Sequence, residues 1–152
     1  MTMPVEGQKA PAFRGKDQDG KTWSLKDFAG RKLVLYFYPQ DSTPTCTEQA
    51  CNLRDHHAML MEAGYAVIGV SPDEADSHKK FIGKHRLPFP LLSDPQRKII
   101  EAYGVWGQKQ MFGNKYMGLL RTTFVIDEKG RIEQVIRRPK VKLHAQEILG
   151  AI

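Results

Sequence analysis

Hydrophobic positions along the chain change their period several times, and each change marks an element. Leu33-Val34-Leu35-Tyr36-Phe37-Tyr38 is a continuous aliphatic and aromatic run ended by Pro39, the pattern of a strand buried on both faces. Tyr65-Ala66-Val67-Ile68-Gly69-Val70 is a second such run, and Leu91-Leu92 is a short third. Between the first two, Ala50, Leu53, His57 and Leu60 recur at steps of three and four, which predicts a helix from about Pro44 to Ala63, terminated by Gly64. Ser71-Pro72-Asp73 caps a helix over about Glu74 to His85, and another is expected near Gln96 to Tyr103. Asp17-Gln18-Asp19-Gly20, central in Phe13 to Trp23, predicts a hairpin, and Leu25 to Phe28 a single helical turn. Thr122 to Ile126, the turn Asp127-Glu128-Lys129-Gly130 and Arg131 to Arg137 predict a second hairpin, followed by a helix over Lys142 to Leu149. Gly104 to Gly118 has four glycines and no clear period and is expected to be a long ordered loop.

The order ββ, then βαβαβα, then ββα combines parallel crossovers with antiparallel strands. It predicts an α/β domain with a mixed central β-sheet flanked by helices on both faces. That order matches a thioredoxin-like fold with an N-terminal β-hairpin extension. No linker, low-complexity block or repeat interrupts residues 1–152, so a single domain is expected. Hydrophobic residues at 41% and charged residues at 26% fit a globular core and exclude disordered and collagen-like classes. No apolar run approaches the roughly 18 residues of a membrane span. The first residues lack the pattern of a secretory signal, so the cytoplasm is the expected compartment.

Lys and Arg total 23 against 17 Asp and Glu, a net +6. The basic groups (Lys79-Lys80, Arg137-Arg138, Lys140 with Lys142) are short and interleaved with acids, so the charge reads as a solvated surface and implies neither nucleic acid nor membrane. The cysteine count says more. There are only two, Cys46 and Cys51, too few for a disulfide framework, and a close pair in a reducing compartment is more often catalytic or metal-binding.

Thr43 as N-cap followed by Pro44, or alternatively a Thr45-x-x-Glu48 capping box two residues on, starts the helix. Either choice leaves Cys46 in the first turn, where free N–H groups and the helix dipole favour a negative sulfur. A cysteine of pKa about 8.5 is only about 3% thiolate at pH 7, so such a position and an exposed thiolate mark a nucleophile. Cys51 lies five residues on. In an intact helix it sits about 140° round and about 7.5 Å along, with Cα atoms roughly 8.7 Å apart. A disulfide needs about 4.4 to 6.8 Å, so a bond between the two cysteines requires the helix to unwind. Zinc is the competing use, but His56, His57, His78, His85 and His144 are scattered and complete no four-ligand set. His57 is expected at the core boundary, the other four at the surface, and no metal is expected.

Pro39-x-x-x-Thr43-x-x-Cys46 resembles the Pro-x-x-x-Thr-x-x-Cys motif of the peroxiredoxins. The setting Tyr36-Phe37-Tyr38-Pro39 to Thr47, with Cys51 five residues on, is similar to the bacterioferritin comigratory protein or peroxiredoxin Q subgroup. Gly7 to Phe13, Leu92-Ser93-Asp94, Tyr103 to Gly107 and Arg121 to Asp127 resemble the same subgroup, so the likeness spans nearly the whole chain. It implies a thiol peroxidase that acts on hydrogen peroxide and alkyl hydroperoxides, needs no cofactor and is a monomer. Cys46 would attack the peroxide and become a sulfenic acid. Thr43 would hydrogen-bond peroxide and thiolate, Pro39 would shield the sulfenate, and Arg121 would stabilise the thiolate and the leaving oxygen. Gln49 would hold the arginine. Cys51 would resolve the sulfenic acid as an intramolecular disulfide, reduced in turn by thioredoxin or a similar dithiol. Thr45 departs from the glycine common in the subgroup and stiffens the turn that must unwind.

Two other classes compete. A thiol-disulfide oxidoreductase on the same fold would use a Cys-x-x-Cys pair, which this chain lacks. A basic nucleic-acid-binding or holdase-like module would bind polyanions without either cysteine.

Overall fold

The computed structural model describes residues 2–151. The N-terminal hairpin is β1 (Arg14–Lys16) and β2 (Thr22–Ser24), followed by a 3-10 turn at Leu25–Phe28. Its turn is built on Asp17, whose carboxylate accepts from Asp19 N, Lys21 N and Trp23 Nε1 at 2.9, 3.0 and 2.8 Å. Then come β3 (Lys32–Phe37), α1 (Pro44–Asp55), α2 (His57–Glu62), β4 (Tyr65–Ser71), α3 (Ala75–His85), β5 (Leu91–Ser93) and α4 (Lys98–Ala102). β6 (Trp106–Met111), β7 (Asn114–Leu119), β8 (Thr122–Ile126), β9 (Ile132–Arg137), a 3-10 turn at Val141–Leu143 and α5 (His144–Ile148) complete it.

The main sheet runs β2-β1-β5-β4-β3-β8-β9. β3, β4 and β5 are parallel, while β8 lies antiparallel to β3 and β9, so the sheet is mixed as the element order predicts. Alternation along β3 feeds two cores. Leu33, Leu35 and Phe37 point to one face with Phe124, Ile99, Ile100 and Tyr103. Val34, Tyr36 and Tyr38 point to the other, beneath Ala50, Leu53, Leu60, Phe81, Ala145 and Ile148 of the helices α1, α2, α3 and α5. Both faces are dry, which is why β3 reads as an unbroken apolar run. Gly69 in β4 makes the fit possible: a Cβ there would stand 2.7 Å from Leu91 Cδ2 and 2.9 Å from Tyr36 Cε1.

Three expectations change. The helix expected over Pro44 to Ala63 is broken at His56 (φ −113, ψ 14), whose ring Nδ1 meets the Asn52 carbonyl at 2.9 Å beside the ordinary helical bond from its backbone N–H at 3.2 Å. The loop expected over Gly104 to Gly118 is instead the β6–β7 hairpin, turned by Phe112 (φ 51) and Gly113 (φ 81). It forms a separate two-stranded sheet and is mostly exposed, so no apolar alternation marks it in sequence. His78 and His144, expected at the surface, are fully buried. Among the described residues, no helix is long and apolar enough to cross a membrane.

Candidate active site

β3 delivers Tyr38 and Pro39 at its C-terminal end, and α1 starts five residues later. Thr43 is the N-cap, extended at φ −74, ψ 154, with Oγ1 accepting from Cys46 N at 3.3 Å and Pro44 next in line. The capping alternative at Thr45 is therefore not used. The Thr43 hydroxyl itself donates to the Gln40 carbonyl at 3.4 Å, so in this state it serves the helix start and not the sulfur.

Sheet register brings the second half of the site. Phe37 pairs with Thr122, which sets Arg121 beside the end of β3. Its Nη2 donates to Cys46 Sγ at 3.1 Å and its Nη1 to Gln49 Oε1 at 2.6 Å. Gln49 is fully buried one turn after Cys46 on α1, so a neutral amide aims a cation at the sulfur. A guanidinium thus donates to the sulfur, which itself sits in the first turn of a helix. The structure departs from the expected exposed thiolate: Cys46 is 1% exposed. A sulfur so enclosed admits only a small or slender oxidant unless the surrounding loop opens.

Among the described residues, two buried polar atoms near it have no hydrogen-bond partner, Gln49 Nε2 and the Tyr36 hydroxyl. Burial, reinforced by negative charge at Cys46 and Asp41, holds the Tyr36 phenol well above its ordinary range, so it is an O–H donor. Lys109 of β6 also senses the site. Burial and the Arg121 charge push its ammonium below the ordinary lysine value, against the opposing pull of Cys46. Sequence reading missed Lys109 because the hairpin carrying it carries no clear period.

Sequence reading also missed what holds the loop from Pro39 to Thr43. Asp41, 5% exposed, accepts from Tyr38 Oη at 2.5 Å through Oδ1, and from Ser77 Oγ at 2.8 Å and His78 Nδ1 at 2.7 Å through Oδ2. Its backbone N–H donates to Asp73 Oδ2 at 2.7 Å. His78 Nε2 meets the Leu92 carbonyl at 3.0 Å, so each ring nitrogen faces an oxygen atom. Asp41, Asp73 and His78 present ligand atoms within 4.8 Å of one another, but these atoms are engaged in this network. No local signal in the sequence marks this network, since Asp41 and His78 stand 37 residues apart.

Cys51 is half-buried on an intact α1, and both cysteines are free thiols. The structure thus brings together Cys46, Thr43, Arg121 and Gln49, with half-buried Pro39 opening the loop, and keeps Cys51 apart on the same helix.

The AhpC/TSA family profile matches residues 6–135. The chain belongs to that family, among the peroxiredoxins. It is 48% identical to peroxiredoxin Bcp of Bacillus subtilis over 152 residues, all of this chain and 96% of that one. It is 43% identical to peroxiredoxin Bcp of Escherichia coli over 144 residues, 95% of this chain and 92% of that one. Among solved structures, a Xanthomonas campestris bacterioferritin comigratory protein, described for its alkyl peroxide reduction, superposes with a TM-score of 0.86 at 32% identity. That match covers 99% of this chain and 95% of that one. As a peroxiredoxin with the thioredoxin-like fold, the chain is a thiol peroxidase.

Proposed function

We propose that the protein reduces hydrogen peroxide and alkyl hydroperoxides at Cys46 and is recycled through Cys51 by thioredoxin or a similar dithiol. The observation that carries this reading is the Arg121 guanidinium on Cys46 Sγ at 3.1 Å, held by Gln49 at 2.6 Å. The thiolate attacks the peroxide oxygen, the S–O bond forms as O–O breaks, and water or an alcohol leaves after protonation. Cationic donors already in place need no reorganisation as charge moves onto the leaving oxygen. Pro39 and the buried walls keep water from the sulfenate, and Thr43, once freed from Gln40, turns its hydroxyl to the incoming peroxide.

The second half requires motion. With α1 intact, the Cys46 and Cys51 Cα atoms are roughly 8.7 Å apart, beyond the reach of a disulfide. The first turns of α1 must open, with loss of the Thr43 cap and of the Arg121 contact. The enzyme works as a monomer in the cytoplasm in this reading, since the resolving cysteine comes from the same chain.

Peroxide consumption coupled to thioredoxin, its reductase and NADPH tests the assignment. Cys46→Ser is expected to abolish turnover. Cys51→Ser is expected to consume one equivalent and then stop, while the wild-type chain loses two hydrogens in mass after one equivalent. Wild-type turnover by Cys46→Ser sinks the reading.

A further inference from the structure

We propose that His85 is the base that deprotonates Cys51 for the resolving step; this rests on the reading of Cys51 as the resolving cysteine. Cys51 Sγ lies 3.8 Å from His85 Nδ1, across the contact between α1 and the last turn of α3 and within reach of an S–H···N hydrogen bond. Arg54, three residues further on the same face of α1, donates through Nη1 to the His85 carbonyl at 2.8 Å. That bond ties the end of α3 to α1 and sets a guanidinium on the face that carries the thiol. The imidazole stands edge-on against Phe81, ring centroids 5.3 Å apart at 78°, which fixes its plane.

The charged and titratable groups around the ring are Cys51 and Arg54 from α1 and Lys84 from α3. Burial, then Lys84 and Arg54, push His85 below the ordinary histidine range. The ring is neutral at pH 7, and with its hydrogen on Nε2 the Nδ1 lone pair faces the thiol.

Helix geometry sets the order of events. The proton passes from Cys51 Sγ to His85 Nδ1 while α1 is intact, because unwinding carries the sulfur away from α3. The Cys51 thiolate then attacks the sulfenic sulfur of Cys46. The S–S bond forms as the S–O bond breaks, and the hydroxide leaves as water on taking up one proton, supplied by the imidazolium directly or through solvent. The Cys51 sulfur is oxidised and the Cys46 sulfur reduced, so no further oxidant or reductant enters. A neutral base is consumed in acid, so resolution slows as pH falls below the histidine range.

The test uses the full chain with Cys46→Ser, which leaves Cys51 as the only thiol. Its alkylation rate by iodoacetamide is measured across pH with His85 present and with His85→Asn, which keeps a polar group near the Nδ1 position but accepts no proton. The expected result is a rate about tenfold lower at pH 7 in His85→Asn, with loss of the histidine-linked inflection. Superimposable profiles overturn the proposal. Independently of any change at His85, its imidazole NMR titration is expected to shift between Cys46→Ser and Cys46→Ser/Cys51→Ser; identical curves also overturn it. A Cys51→Ser protein that cycles with the dithiol at the wild-type rate overturns the resolving assignment instead, whatever the alkylation shows.

Discussion

Asp41→Ala is the substitution that most directly asks what holds the active-site loop. It removes the one acceptor shared by Tyr38 Oη, Ser77 Oγ and His78 Nδ1, contacts of 2.5, 2.8 and 2.7 Å. His78 and Asp41 side chains are 0% and 1% exposed, so the histidine is left buried without its partner. Leaving these three donors without their acceptor costs about 1–3 kcal/mol each, about 4 kcal/mol taken together toward the low end, which is a large part of the roughly 5–15 kcal/mol that holds a domain together. With a urea m-value of about 2 kcal/mol/M, the unfolding midpoint is expected to fall by about 2 M. Asp41→Asn separates charge from shape. Its Oδ1 still accepts from Tyr38, and its Nδ2 donates to a neutral His78 whose Nε2–H keeps the Leu92 carbonyl at 3.0 Å. A loss of about 1–2 kcal/mol is expected there, since every buried group finds a partner. Because the loop carries Pro39 and Thr43, kcat/KM for peroxide is expected to fall in Asp41→Ala more than in Asp41→Asn. A urea midpoint for Asp41→Ala within about 0.5 M of wild type refutes the reasoning.

Two further outcomes follow from the site and its surroundings. Arg121→Ala is expected to lower kcat/KM for peroxide by at least about 10²-fold. Arg121→Lys is expected to recover little of that, because an ammonium cannot span Gln49 and Cys46 as the two guanidinium nitrogens do; wild-type kinetics in Arg121→Lys argue against the aimed guanidinium. His144 is held below the ordinary histidine range by burial, against the Glu147 hydrogen bond at 2.9 Å. Its folded value is depressed, so the unfolded chain takes up a proton first as pH drops below about 6.5 and folding stability falls from there toward the native value. His57 and His85 act in the same direction. His144→Gln is expected to remove one proton from that dependence, read as a shallower slope of unfolding free energy against pH; an unchanged slope refutes the assignment.

Much of the fold is legible in the linear pattern because its strands are buried on both sides. β3 and β4 stand out as apolar runs since both of their faces meet dry cores, and local chemistry between Thr43 and Glu48 places the start of α1 to within two residues. The β6–β7 hairpin escapes notice for the opposite reason: most of its residues face solvent, and nothing forces alternation. The break at His56 is equally invisible, because no Gly or Pro marks it between Thr45 and Ala63. Burial of His78 and His144 depends on partners far along the chain, Asp41 and Leu92 for one and Thr123 for the other.

The cysteine spacing is the clearest case of what the linear chain settles alone. Five residues on one helix put the two sulfurs out of bonding range whatever the rest of the protein does, because helix pitch is a property of the backbone. Which groups face each sulfur is a different matter. Arg121 reaches Cys46 from 75 residues away only because β8 pairs with β3 in a register that joins Phe37 to Thr122, and His85 reaches Cys51 only because α3 packs beside α1. Periodicity is local and spacing is covalent, so both are written in the chain; the partners of a buried sulfur depend on sheet register and helix packing, which exist only once the two cores have formed.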